Sequence, residues 1–202
     1  MGFPAFFDAV PGIVLRDPLA ELLGAADGGL IEYRYADAVR LAGHSCPTVA
    51  GAWLLTARAL RALYGDAIPE RGGIRVDFGE PLESGVAGVV AGIAGLLTGA
   101  AGGGGFKGLG GRHARRNLLQ FDVAEVDGIR FGRLDGQGAV VVALDLSPVP
   151  GDPRMGELLP LVLQGAAGAE ERTRFGELWQ ERVRRILVDH HDDPRLTTIV
   201  RV

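Results

Sequence analysis

The chain has little cysteine and little lysine. The first shortage limits the disulfides and the cellular compartment that we expect, and the second draws attention to the lysine that is present. Cys46 is the only cysteine among 202 residues, so no internal disulfide can form, and a free thiol fits a reducing, cytoplasmic compartment. Lys107 is the only lysine among 21 basic residues. Since the other cations are all arginine, the lysine at position 107 is either present by chance or needed there for its compact ammonium group.

The chain also lacks a strong charge of either sign and a long apolar run. Its formal net charge of −4 gives no indication of nucleic-acid binding. Residues 84–105 carry no charge, but their strongly apolar part falls well short of the ~20 residues that span a bilayer. We therefore expect neither a nucleic-acid partner nor a membrane. A hydrophobic content of 47% is enough to build a buried core.

The most informative segment is residues 43–47, which read Gly-His-Ser-Cys-Pro and precede a predicted helix. Pro47 suits the first helical position, because its missing N–H would lack a helical partner there anyway. The apolar residues that follow recur at intervals of three and four, which predicts a helix over 47–64 with one buried face: Val49, Ala50, Trp53, Leu54, Ala57, Leu60 and Tyr64. Cys46 then occupies the N-cap, where free backbone N–H groups and the helix dipole favour an anion.

His44 and Cys46 are the leading site candidates. An imidazole and a thiolate two residues apart suit Zn²⁺, or another divalent transition metal, as two of about four ligands. His113 is the next candidate ligand, followed by water or substrate. Without a metal, Cys46 could act as a nucleophile or redox thiol with His44 as its base. Both residues could also be core residues without chemistry, since buried free cysteine is common.

A second candidate is the glycine-rich loop 102–111, which contains Lys107. Backbone N–H groups in such loops cradle anions, so Gly105 and Gly108 are predicted to line a site for a small anionic ligand. Lys107 and Arg112 would hold that ligand by charge. The loop does not match the nucleotide-binding P-loop, because Gly rather than Ser or Thr follows the lysine. The basic run over 112–116 is either a solvated face or a patch that recruits an anionic substrate.

The remaining pattern predicts an α+β fold with an antiparallel sheet. Alternating apolar and polar residues predict a strand over 73–79 and a three-stranded meander over 118–146. Within the meander, Asp-Gly pairs at 127–128 and 135–136 predict tight hairpin turns. We expect this sheet to pack against the helix over 47–64 and a second helix over 85–99.

The last quarter of the chain is set apart by prolines at positions 148, 150 and 153. Beyond them the periodicity is helical, and residues 170–189 alternate an apolar face with a face of Glu and Arg. We therefore divide the chain into an α+β core domain over 1–150 and a C-terminal helical extension over 151–202 that packs on the core.

These motifs resemble a known family. Residues 43–51, together with the amphipathic helix behind them, are similar to the N-terminal signature of the FmdE family, which takes its name from formylmethanofuran dehydrogenase. A second match runs from Thr98-Gly99 through Lys107 to the Asn-Leu-Leu of 117–119. The resemblance implies a mixed α+β domain, a homodimer, and a site near the His and Cys that is associated with metal, often zinc.

Carried over residue by residue, the resemblance assigns His44 and Cys46 to the site, with Lys107 as a third position. Ala100 and Ala101 stand where family members commonly carry a further cysteine. Together, the zinc-type site that the resemblance implies and the anion-binding loop around Lys107 suggest one candidate function, a metal-dependent enzyme that acts on a small anionic substrate. The alternatives are a non-catalytic metal or cofactor carrier or sensor, and a metal-free cysteine-dependent redox protein. The sequence leaves open whether the protein is an enzyme.

Overall fold

The structure, a computed structural model, describes residues 2–202, which form one α+β fold of six α-helices and seven β-strands. The helices are α1 (Pro18–Leu22), α2 (Tyr35–Ala42), α3 (Pro47–Tyr64), α4 (Ala87–Thr98), α5 (Met155–Leu163) and α6 (Ala169–Arg184). The strands are β1 (Ile13–Arg16), β2 (Leu30–Tyr33), β3 (Ile74–Phe78), β4 (Leu119–Gln120), β5 (Ile129–Arg133), β6 (Ala139–Leu144) and β7 (Thr197–Arg201). The helix α6 continues directly into a π-helical turn, Arg185–Asp189.

Five of the strands form one mixed sheet, and the other two form a separate hairpin. The strands β1 and β2 pair in antiparallel fashion. The larger sheet has the order β4-β3-β5-β6-β7. Its neighbours are antiparallel except β3 and β4, which run parallel over a short register. The α+β class is confirmed, but the sheet is not antiparallel throughout.

The predicted meander over 118–146 differs from the structure in its first strand. The strands β5 and β6 form the expected hairpin, with Asp135 and Gly136 between them. The strand β4 pairs with β3 instead, and just beyond it the ring of Phe121 stacks on Phe78 with 5.0 Å between centroids. The Asp-Gly pair at 127–128 therefore leads into β5 without closing a hairpin.

The helix α3 is the centre of the core, and its observed bounds are the predicted ones. It packs between α4 and the inner face of β6. Trp53 and Tyr35 are both fully buried, and their rings meet edge to face at 6.1 Å. Gly51 lets α3 approach the sheet closely, because any Cβ there would overlap the side chain of Leu144. Close packing of this kind fixes the position of the residues that begin α3.

The C-terminal segment is tied to the rest of the fold by its sheet strand and by Arg58. The strand β7 pairs with β6 along its whole length. Arg58 of α3 donates to the carbonyl oxygens of His190 and Asp193 at 3.2 and 2.8 Å, and to Thr197 Oγ1 at 2.6 Å. The domain boundary between residues 150 and 151 stays a prediction. Among residues 2–202, none of the helices has the length and apolarity needed to cross a membrane.

Candidate functional site

The 43–47 segment connects α2 to α3 and is shaped by its two ends. Gly43 ends α2 in the left-handed conformation, with φ of +76°. Pro47 is the first residue of α3, and Cys46 is its N-cap, as predicted. The Sγ atom of Cys46 accepts a hydrogen bond from the Val49 N–H at 3.4 Å. The thiol sulfur is therefore held against the free N–H groups of a long helix.

His44 is exposed, and one of its ring nitrogens is already bonded. Its Nδ1 lies 2.9 Å from the carbonyl oxygen of Ala42. A carbonyl can only accept, so Nδ1 carries the proton in this pair. The other ring nitrogen, Nε2, is then the one that can bind a metal ion. A ring nitrogen held in this way is the usual arrangement of a metal-binding histidine.

The C-terminal helix holds the backbone of the 43–47 segment in place. The carbonyl oxygen of Ser45 accepts from Trp179 Nε1 at 3.1 Å and from Gln180 Nε2 at 3.0 Å. The hydroxyl of Ser45 bonds to the hydroxyl of Tyr35 at 3.0 Å. Burial raises the pKa of Tyr35, so its phenol stays neutral near pH 7. Three side chains thus fix the residue between His44 and Cys46, and two of them, Trp179 and Gln180, are distant from it in sequence.

The sequence does not identify these three supporting side chains, although Trp179 lies in the segment 170–189 whose periodicity predicts an apolar helix face. The available signal is chemical, since a Trp or Tyr on a buried face needs a partner for its polar end. That signal does not say where the partner lies.

The predicted metal ligands are not gathered into one complete site. Among the described residues 2–202, no group of three or more His, Cys, Asp or Glu side chains is placed to hold a metal ion. His44 and Cys46 lie in one segment, whereas His113 lines a cavity with Arg71 and Arg115. The chain therefore supplies at most two neighbouring ligands at the 43–47 segment, half of a tetrahedral zinc shell.

The glycine-rich loop 102–111 is bonded to itself and to its flanks. Leu109 and Arg112 exchange two backbone hydrogen bonds of 2.9 Å, which closes a tight turn. Gly108 has φ of +94°, and a Cβ there would overlap the backbone oxygen of Arg112. At Gly105 a Cβ would meet the backbone of Arg116. These glycines are required by the backbone geometry of the loop.

The two cations predicted to hold an anion lie on the surface. Lys107 and Arg112 are both exposed, and neither lines the cavity that includes His113. Within residues 2–202 neither side chain forms an ion pair. The structure therefore separates these two residues from the buried arginine that follows them, Arg115.

A cluster of one carboxylate and two guanidinium groups lies where α1, α4 and the basic run meet; we call Asp17, Arg71 and Arg115 the arginine cluster. Asp17 is 4% exposed and caps α1, accepting from the Leu19 N–H at 2.9 Å. Its second oxygen accepts from Arg71 Nη1 at 2.8 Å, and Arg115 Nη2 donates to the first at 2.6 Å.

Opposing effects set the protonation of the arginine cluster. Burial acts to raise the pKa of Asp17, but Arg71, Arg115 and the N–H groups of α1 outweigh it and hold the pKa below its ordinary value. Burial lowers the pKa of Arg115, and the charge of Asp17 opposes that change. Since arginine starts far above neutrality, both guanidinium groups stay charged at pH 7.

Two cavities are relevant to ligand binding. One of about 290 Å³ is lined by Arg71, Arg115, Arg116, His113 and Glu70 among others. A larger one of about 530 Å³ lies between α3, the start of α4 and the sheet, with an apolar lining and two rim carboxylates, Glu80 and Asp127. Neither His44 nor Cys46 lines either of these two cavities.

Comparisons with known proteins do not assign a family. No protein-family model matches the chain, and no curated protein is significantly similar to it. The resemblance of residues 43–51 to the FmdE family therefore stays a prediction. Function has to be argued from the side chains themselves.

Proposed function

We propose that the 43–47 segment is a metal-binding site in which His44 Nε2 and Cys46 Sγ supply two ligands to Zn²⁺ or another divalent transition metal. The observation that carries the proposal is the hydrogen bond from His44 Nδ1 to the Ala42 carbonyl oxygen at 2.9 Å. That bond fixes the ring so that the other nitrogen is free to ligate. The resemblance to the FmdE family supports the same assignment.

The donor set fits such a metal but does not complete its shell. Imidazole nitrogen and thiolate sulfur are both common zinc ligands, and about four ligands are usual. We propose that water, an anionic substrate or a second copy of the chain fills the remaining positions, which agrees with the homodimer that the resemblance implies. A bound metal would supply Lewis acidity toward that water or substrate.

In this proposal the chain's own residues have separate tasks. Cys46 and His44 hold the ion, and the Val49 N–H partly neutralises the sulfur. Trp179 and Gln180 position the segment through the Ser45 carbonyl oxygen. The same arrangement serves an enzyme or a non-catalytic metal carrier or sensor, because all of these uses need an open coordination position.

A metal-free thiol is the second candidate function, and one observation favours it. The Cys46 sulfur is half-buried at the start of an 18-residue helix, where the dipole stabilises an anion. A cysteine in such a place can act as a nucleophile or redox thiol. A reducing, cytoplasmic compartment, which we also propose, would keep the single thiol free.

Metal analysis of untagged protein tests the proposal. We expect near-stoichiometric zinc or another transition metal in the wild type, and loss of that metal in both Cys46→Ser and His44→Ala. His113→Ala is the matched control, because it removes a histidine that lies away from the 43–47 segment.

Two results would reject the metal site at the 43–47 segment. One is a wild-type protein that contains no metal and takes up none from added zinc. The other is equal metal content in wild type and both site variants. Alkylation of Cys46 across a pH series would then test the thiol function, since a thiolate reacts and a thiol does not.

A further inference from the structure

The wall of the cavity beside the arginine cluster holds more positive than negative charge. Arg71 and Arg115 both bind Asp17, so two guanidinium groups share one carboxylate. Arg116 lines the same cavity and forms no ion pair within residues 2–202. Glu70 also lines it, and its carboxylate is 3.6 Å from an arginine of β1, Arg16. The cavity is therefore suited to a negatively charged ligand.

One guanidinium nitrogen of Arg115 lacks a partner among residues 2–202. Its Nη2 donates to Asp17, whereas the buried Nη1 makes no hydrogen bond to any described residue. The Arg115 side chain is 8% exposed, so bulk water hydrates it poorly. A buried donor on a charged group is costly when it lacks an acceptor. Arg115 also lines the cavity, so an anion there would balance its buried charge.

The backbone makes room for the Arg115 guanidinium. Gly72 has φ of +87°, and a Cβ there would overlap Arg115 Nη1. Gly99, just after α4, has φ of +73°, and a Cβ there would lie 3.0 Å from the same nitrogen. Since both positions need glycine on conformational grounds as well, the guanidinium is seated between two fixed stretches of backbone. A side chain that is held in this way is preorganised for binding, because its position is fixed before a ligand arrives.

We propose that this cavity binds a small oxyanion, a phosphate or a carboxylate, held by Arg115, Arg71 and Arg116. Planar guanidinium groups match the paired oxygens of both anions. The volume of about 290 Å³ suits a small anion or the anionic end of a larger molecule. His113 lines the same wall and adds a further nitrogen. The site is separate from the proposed metal site and does not depend on it.

The exposed cations of the neighbouring loop are poorer anion receptors than this cavity. Lys107 and Arg112 are exposed, and solvent and salt screen charges in such positions. The charge of Arg115 is buried and therefore screened much less. The glycine loop then serves to place the residues that follow it, and recognition comes from the two arginines of the basic run that line the cavity, Arg116 and the buried Arg115.

Calorimetric titration of the full chain with inorganic phosphate, and separately with malonate, tests the proposal. A chelator in the buffer removes any contribution from a bound metal. We expect one anion per chain and an affinity about tenfold or more weaker in Arg115→Lys, which keeps the charge beside Asp17 but loses the guanidinium fork. The probe that binds more tightly identifies the ligand as phosphate-like or carboxylate-like.

Two surface arginines provide a matched pair of variants. Arg116→Gln and Arg112→Gln remove the same charge from exposed positions in one basic run, but only Arg116 lines the cavity. We expect Arg116→Gln to weaken binding and Arg112→Gln to leave it within twofold. The comparison of these two variants tests the anion site even if Arg115→Lys does not fold.

Several results would overturn the anion site. One is that neither probe binds to the wild type at millimolar concentration. Another is that wild type and Arg116→Gln bind the probe with equal affinity. The third is that Arg112→Gln loses more affinity than Arg116→Gln. Unchanged anion binding in Cys46→Ser would show that the anion site does not depend on the proposed metal site.

Discussion

The 43–47 segment and the arginine cluster are candidate sites built in opposite ways. The segment is continuous in sequence, and its His and Cys lie two residues apart. The cluster joins Asp17, Arg71 and Arg115, which come from three distant parts of the chain. The segment presents lone pairs of nitrogen and sulfur, whereas the cluster presents N–H donors. The first therefore suits a cation and the second an anion.

The two sites also differ in what holds them together. The segment is held by hydrogen bonds from Trp179 and Gln180, each contributing a net of about 1 kcal/mol. The cluster is held by buried charges, and removing one partner of a buried ion pair costs about 3–5 kcal/mol. Changes in the cluster should therefore reduce stability most, while changes in the segment should affect ligand binding first.

The largest expected effect is that of Asp17→Asn. Asparagine keeps the size of the side chain and is an equally good N-cap for α1, but it removes the charge and replaces one of the two acceptor oxygens with an N–H donor. It leaves Arg71 and Arg115 without a counter-charge in a buried place. We expect the free energy of unfolding to fall by about 3–5 kcal/mol in a urea titration at pH 7.

Asp135→Asn is the control for that measurement. Asp135 is paired with Arg133 but is 48% exposed. A pair at the surface contributes little to stability, so the loss should be small. Equal losses in the two variants would contradict the view that buried charge organises the cluster.

The pH dependence of the stability of Asp17→Asn gives a second check on the role of the Asp17 charge. The pKa of Asp17 is lowered in the folded protein, so the carboxylate adds stability that is fully present above its unfolded pKa of about 3.9. That stability is lost as the pH falls through the lowered folded pKa. The difference between wild type and Asp17→Asn should thus be constant near neutrality and shrink in acid. A difference that grows in acid would contradict the assignment.

A smaller effect is expected from Gly72→Ala, which probes the seat of Arg115. A left-handed alanine costs about 1–2 kcal/mol on its own. At Gly72 the new Cβ must also displace the guanidinium, whereas Gly24 has φ of +66° and no atom within 4 Å of its Cβ position. We expect Gly72→Ala to cost about 1 kcal/mol more than Gly24→Ala by thermal denaturation. Equal costs would show that Arg115 moves aside freely.

The sequence was sufficient for the parts of the molecule that local rules decide. The helix α3 was predicted with its observed bounds, because Pro47 and the spacing of its apolar residues both act within a few positions. The strand β4 was placed wrongly in the sheet, because its parallel pairing with β3 joins residues that are far apart in sequence, such as Val76 and Leu119. That pairing is a tertiary contact, and two short strands with similar patterns do not reveal it.

The same division applies to the candidate sites. His44 and Cys46 could be singled out because both lie in one short segment beside a helix start. The arginine cluster could not, because no local pattern connects Arg71 to Asp17 across 54 positions. The basic run containing Arg115 was visible, but its sequence does not say which member is buried. Which arginine is buried, and which partner it binds, depends on the fold. These properties decide which of several arginines can bind an anion.

Among the changes at the two candidate sites, the smallest expected loss of stability is that of Trp179→Phe, which affects the 43–47 segment alone. The change removes the donor to the Ser45 carbonyl oxygen but keeps an aromatic ring beside Phe175. Gln180 still donates to the same oxygen, so we expect a loss of about 1 kcal/mol. Because outer groups position metal ligands, zinc affinity should fall about tenfold, while phosphate affinity should stay unchanged. Normal zinc binding together with a large loss of stability would instead make the contact between α6 and the 43–47 segment purely structural.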